Sequence, residues 1–401
     1  MVGDFFSQRE GCSLHLNLAK SSITALDSIK DTGVQVLGSM VGPRSARYSF
    51  LKEKIAKTKA KLDMLVDLPH QHALLLLRLA IQQDLRHLQR TLQSDDLQEL
   101  WHDLDMALWD KARSIRGAAP PVDINQDNTL WSLPIKMGGL GLLSHKTVAP
   151  LAHAASIEAA SELLHPLLGD PWVSPPTPLS QRDRCQHVFK SSHSDLTSAL
   201  TPPLTQGLVE ASSVLGRSWL SAIPYNSALR LTNFEVSAAL QLRTLVPSTS
   251  PSCRHCGHTS VYGHSEVCPH KSKWTVARHE QVKKVIASAL STIPGAKVQL
   301  EPFISGTQRR NDIQLFGSQA SGLGNHEYDI SVVSLSSAQA RTTVLPPGLS
   351  GTPLELASAA NLKFLNAVAR EKTKRLPSTS TTPFTPLIFS LGGMMELHTA
   401  K

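Results

Sequence analysis

A run of metal-ligand side chains sets the first limit on how this chain folds: CRHCGHTSVYGHSEVCPH, from Cys253 to His270. Cys253 and Cys256 stand in a Cys-x2-Cys turn followed by Gly257, so both sulfurs can reach one ion. His264 and Cys268 follow, one helical turn apart. Thiolate and imidazole donors suit Zn2+, which takes four of them tetrahedrally and gives a fold to a stretch too short for its own core. Four protein ligands leave no open position, so the expected zinc is structural. His255, His258 and His270 compete for the histidine position, and spacing favours His264.

The remaining cysteines, Cys12 and Cys185, are isolated. An odd total of five, three of them clustered, argues against a disulfide framework and for a metal site in a reducing compartment. Nothing reads as a secretion signal, and the longest apolar run, Ala73–Ile81, carries Arg78 and is too short to span a bilayer. The 401 residues suffice for two or three domains, and the net charge of +8 leans towards polyanionic partners.

Along the chain, Gly33–Gly38 alternates like a strand entering a turn. Phe50–Leu68 predicts a basic amphipathic helix, with Leu51, Ile55, Leu62 and Leu65 on one face and Lys52, Lys54, Lys57, Lys59 and Lys61 around the rest. Helices are expected over Gln71–Gln93, Asp95–Arg116, Thr147–Leu164 and Phe234–Leu245. LPIKMGGLGL, at Leu133–Leu142, forms a Gly-rich turn without the spacing or the Lys-Ser/Thr of a phosphate-binding loop. Gln181–Ser213 is polar and weakly patterned. The cluster Pro247–Pro251 marks a domain boundary.

Beyond the cysteines, Trp274–Leu290 predicts a helix, and Val298–Pro302, Arg310–Phe316 and Tyr328–Val333 predict strands. Asp312 and Asp329 open two of these strands across one loop, which can bring both carboxylates to one region of a sheet. Paired carboxylates repel unless a cation sits between them, so the pair suggests Mg2+ and phosphodiester hydrolysis. Capping or turn aspartates are the alternative. A helix at Ala357–Arg375 and a strand at Pro386–Leu391 complete the chain.

The order of these pieces resembles the C-terminal half of non-LTR retrotransposon reverse transcriptases that carry a restriction-like endonuclease. Leu16–Lys20 looks like the lysine-bearing segment after the polymerase catalytic motif. Gly33–Gly42 looks like the start of the thumb, and Phe50–Leu92 with Leu133–Leu142 like the helical region beyond it. Phe234–Arg243 leads into the Cys-Cys-His-Cys cluster as in that family. Arg310-Asn311-Asp312 and Tyr328-Asp329 look like the two acidic positions of a PD-(D/E)xK-like nuclease, and Glu301 like the acid on the strand before.

The resemblance implies an α+β chain in four parts. Residues 1–48 are a remnant of the palm–thumb junction, 49–246 a helical thumb-like and linker region, 247–272 a CCHC zinc knuckle, and 273–401 a nuclease domain of α/β type. It implies DNA and element RNA as partners, no membrane and a nuclear site of action. Asp312, Asp329 and Glu301 would serve hydrolysis, with Lys372, by its place in the order, orienting water. The chain departs from the family in four ways. No Tyr/Phe-x-Asp-Asp polymerase signature occurs. Asn311 stands where the pattern has proline, Ser331 where restriction nucleases often carry lysine, and Leu376 where an aromatic residue follows the lysine. A non-catalytic nucleic-acid-binding remnant is therefore a second expectation, and an element relic without selected function a third.

Overall fold

The computed structural model describes residues 26–117, 123–168, 179–246, 252–259, 262–303, 310–318, 322–375, 382–396 and 399. Leu16–Lys20, the Pro247–Pro251 boundary and Leu376 lie outside them. The fold is mixed α+β, with helices dominating the first part and a four-stranded sheet the last.

The helical part opens with α1 (Leu26–Thr32) and a hairpin of β1 (Val34–Val36) and β2 (Ser39–Val41), turned by Leu37 and Gly38, both at positive φ. This matches the expected strand and turn. The basic helix is α2 (Arg44–Asp63), and it buries Phe50, Leu51, Ile55 and Leu62. Its lysines are largely matched at the surface: Lys57 pairs with Glu53, Lys59 with Asp103 and Lys61 with Asp84.

The single helix expected over Gln71–Gln93 is instead two, α3 (His70–Leu79) and α4 (Arg86–Thr91), separated by a 3-10 turn at Ile81–Gln83. Within that break the Gln82 amide bonds the carbonyls of Arg78 and Gly141, tying the turn to another part of the chain. Next come α5 (Gln98–Arg116), α6 (Ile124–Ser132) and α7 (His145–Leu168). Their core is built on Trp101, Leu104, Leu108 and Trp131, all almost fully buried. The buried Arg116 guanidinium is paired with Asp127, which also accepts the Trp131 indole N–H, so the charges are not left alone in the core.

The Gly-rich turn is a structural knot. Gly138 and Gly141 have φ of 84° and 72°, and a Cβ on Gly139 would sit 2.1 Å from the Leu133 carbonyl oxygen. Arg78 donates to Leu140 O, and Arg243 donates to the Gly139 and Ile135 carbonyls. The exposed carbonyls of a tight turn thus find buried donors.

Gln181–Ser213, which has little sequence pattern, forms α8 (Gln181–Ala199) and α9 (Pro202–Ser212), followed by α10 (Val214–Ser218) and α11 (Asn233–Arg243). Ser180 caps α8 through the Asp183 N–H, and Pro202 starts α9.

The C-terminal part begins with α12 (His264–Val267) and α13 (Ser272–Ser291). It then forms β3 (Lys297–Leu300), β4 (Ile313–Phe316), β5 (His326–Val333), α14 (Ala338–Arg341), α15 (Pro353–Lys374) and β6 (Phe384–Ser390). The sheet order is β3-β4-β5-β6: the first two pairings are antiparallel, and β6 runs parallel to β5 after the α15 crossover. Strand alternation sorts the two faces. Ile313, Ile330, Leu387 and Phe389 pack under α13, whereas Val333 and Ile388 pack with Phe364 and Leu365 of α15. Val209 of α9 joins this second core, so packing runs across the expected boundary.

Candidate metal centre and carboxylate site

Cys253, Cys256, His264 and Cys268 bring one ligand atom each into a space where all four lie within 4.8 Å of one another. Cys253 Sγ is 3.8 Å from Cys268 Sγ, and Cys256 Sγ is 3.2 Å from His264 Nε2. A tetrahedral ion with Zn–S bonds of about 2.3 Å needs sulfurs about 3.8 Å apart, so the spacing suits zinc.

The backbone builds the site. The Gly257 N–H donates to Cys253 O and the Cys253 N–H to His258 O, closing a tight turn. Gly257 has φ 74° with open space around it, so glycine is there for the dihedral alone. On the other side Gly263, at φ 75°, leads into α12, which carries His264, and Cys268 follows that helix, buried.

Backbone N–H groups of His255 and Cys256 lower the Cys253 thiol to about 6. Cys256 takes the His258 N–H, which also lowers it, yet burial and the neighbouring thiols Cys253 and Cys268 raise it overall. Thiols crowded in this way ionise together only around a cation, which is the chemistry of a thiolate metal site. Among the competing histidines, His258 is turned to Cys256 O, and neither His255 nor His270 belongs to the cluster. The four residues are compatible with a structural zinc.

Asp312 and Asp329 lie at the sheet. Asp312 stands just before β4, and its Oδ2 accepts the Ile330 N–H at 2.6 Å. Asp329, on β5, points to the α15 face, where Lys372 Nζ lies 2.8 Å from its Oδ2. Burial, and then the Asp312 carboxyl beside it, push Asp329 up to about 6, against the pull of Lys372. The two aspartates and the lysine are thus brought together by β5 and the end of α15. Next to them a groove of about 1010 Å³ is lined by Ser331, Lys363, Arg370, Lys372 and Arg375.

Glu301 is placed differently. It follows β3 with φ 51°, its N–H bonds Asp312 O, and its carboxylate pairs with Lys283 at 2.6 Å and Arg310 at 3.4 Å. Lys283, together with Arg310, holds the Glu301 carboxyl below its ordinary range. Among the described residues no group of three carboxylate or histidine donors that includes Glu301, Asp312 and Asp329 comes as close together as the zinc cluster does.

Neither a family model nor a curated protein matches this chain. The site is therefore defined by its own geometry, and that geometry includes two residues the sequence did not single out. His279 Nε2 lies 3.1 Å from Asp312 Oδ2, and Lys283 bridges Glu280 and Glu301. Both sit one turn apart on α13 in RHEQVKK, a polar stretch on a helix that covers the sheet. Polar residues at that spacing were the available signal. Their partners, just after β3 and just before β4, are a matter of tertiary packing.

Asn311, where the resemblance led us to expect proline, donates its N–H to Pro302 O and its side-chain amide to the buried Glu327 at 2.5 Å. Proline would lose both bonds. No helix among the described residues is long and apolar enough to cross a membrane.

Proposed function

We propose that this chain is the C-terminal part of a non-LTR retroelement reverse transcriptase and that its last part is a Mg2+-dependent phosphodiesterase acting on DNA. The contact of Lys372 with Asp329, beside Asp312 and a basic groove, carries the reading. Asp312 and Asp329 are hard oxygen donors of the kind Mg2+ takes, two carboxylates with waters completing its shell, and the ion would polarise a scissile phosphate.

The chain's own groups supply the rest. Lys372 neutralises phosphate charge or orients water at Asp329. His279 and the Ile330 N–H fix Asp312 Oδ2 in place, and Lys363, Arg370 and Arg375 line the approach of a phosphodiester backbone. Glu301, engaged with Lys283 and Arg310, acts as a brace for the β3 end. The zinc knuckle is structural. Polymerisation is no part of the proposal, because the paired-aspartate polymerase motif is missing from the sequence.

A second reading, a nucleic-acid-binding protein that does not cut, is favoured by one observation: Glu301 is tied into ion pairs and not gathered with the two aspartates. Supercoiled plasmid incubated with zinc-loaded protein and Mg2+ decides between them. Nicking that is lost in the Asp312→Ala, Asp329→Ala double variant supports the nuclease. Retained binding without nicking supports the second reading. Asp329 must shed its proton to hold a cation, so nicking is expected to rise as pH increases through about 6 and level off above 7.

A further inference from the structure

A second cavity, of about 800 Å³, lies where α9, α11, the zinc knuckle, the start of α13 and the turn after β6 meet. Phe234 and Trp274 line it while 81% and 67% exposed, and Trp219 adds a third ring. Single exposed rings are ordinary, but several around one concavity mark a place where apolar surface waits for a ligand. The polar groups of the wall include the carboxylates of Glu210 and Glu266 and the guanidinium of Arg278. Arg278 Nε is buried and has no hydrogen-bond partner among the described residues. A buried donor left in that state awaits an acceptor.

Flat π surfaces, carboxyl acceptors and the Arg278 guanidinium, whose charge also acts on Glu266, correspond to three parts of a nucleotide: the base face, its N–H edge and its phosphate. A lysine-bearing peptide would suit the rings and the carboxylates, but its cation would enter beside Arg278 and Arg243. The chain's net charge of +8 favours the anionic polymer as well.

We propose that this cavity takes one unpaired nucleobase of a single strand, stacked on Trp274, with its phosphate on Arg278 and its N–H edge towards Glu266. The same helix connects it to the carboxylate site. Arg278 is followed by His279, which touches Asp312, and Trp274 lies about 8 Å from His279 along the axis of α13. The cavity and Asp312 thus lie against different faces of one helix. The inference rests on the nucleic-acid reading for the choice of polymer, while its test reads binding without cleavage.

The test is fluorescence anisotropy with the full zinc-loaded chain, without Mg2+, on a labelled single-stranded oligonucleotide and on the duplex of the same sequence. Trp274→Ala is expected to weaken single-strand binding by about 5- to 150-fold, the range for one stacked base, and to change duplex binding less than about twofold. Trp274→Phe keeps a ring and should retain most of the affinity. Arg278→Gln should lower single-strand affinity and reduce its salt dependence by about one phosphate contact. Zinc content matching the parent protein verifies that each variant is folded.

Unchanged single-strand affinity in Trp274→Ala, or an equal loss on duplex, overturns the proposal. So does a lysine-rich peptide whose binding depends on Trp274 while oligonucleotide binding does not. Loss of nicking in the plasmid assay leaves this outcome untouched, so the two readings fail separately.

Discussion

Glu210 is a carboxyl group held away from water in α9. Burial, and then the nearby Glu266, push it up to about 7, although the Gly392 N–H donates to it at 2.7 Å. Its folded value lies above its unfolded one, so the neutral form is the one the fold favours. That contribution is complete below about pH 4 and is lost as pH rises to about 7, where the buried group must ionise. Glu210→Gln keeps the acceptor oxygen and removes the charge. It should raise stability by roughly 3 kcal/mol at pH 8 and change it little near pH 4, as read from urea unfolding at the two pH values. A variant less stable at both would mean that the carboxyl is held for its hydrogen bonds alone. Asn311 shows the converse case at the same scale. Its side-chain amide is the partner that makes a buried Glu327 tolerable.

At the scale of elements, the turn at Leu133–Leu142 is held by dihedrals and by two buried arginines. Gly139→Ala would place a methyl group 2.1 Å from a backbone oxygen, which the neighbouring chain cannot relieve by a rotamer change. A loss of roughly 2 to 4 kcal/mol is expected, visible as a lower melting temperature of the helical part; a change below about 0.5 kcal/mol would show that the turn can open.

This turn was legible as glycine chemistry but not as a docking point for Arg78 and Arg243, because those residues lie far away in the chain. The same limit explains the helices. Amphipathic stretches such as α5 declare themselves through Leu100, Leu104 and Leu108, whereas α8 buries only Leu196 and Thr197 and so leaves almost no apolar period to read. The break after Leu79 is set by a glutamine bonding a distant carbonyl, and no local propensity announces it. In the candidate site, the close approach of four ligands was readable because their spacing is local. The contacts of His279 and Lys283, and the diversion of Glu301 to cations, depend on how α13 lies on the sheet.

For the molecule as a whole, the knuckle is the piece on which the others bear. A Cβ on Gly263 would meet Ser336 Oγ at 1.9 Å, Ser334 donates to Glu266 at 2.5 Å, and Arg341 donates to Tyr262 O at 2.9 Å. Tyr262 in turn donates to Leu242 O on α11. Removing the metal with a chelator should release about one equivalent of zinc per chain, measured by a colorimetric indicator. It should also lower the melting temperature and expose the Cys253–Cys268 segment to protease. Release of zinc with no change in melting or proteolysis would mean that the hydrogen bonds alone hold the joint.

The parallel pairing of β6 with β5 also bears on synthesis by the ribosome. β5 is paired along Glu327–Val333 by residues 384–390, and Lys372 precedes them on the crossover helix α15. A nascent chain interrupted within α15 would therefore lack both the lysine and the covering strand. What remained would be β5 as a bare edge, with its hydrogen-bonding groups open along the strand and Ile330 and Val332 beside them, the form in which one chain recruits another. The charged contact at Asp329 and protection against aggregation are thus completed together, once residues 372–390 have been made.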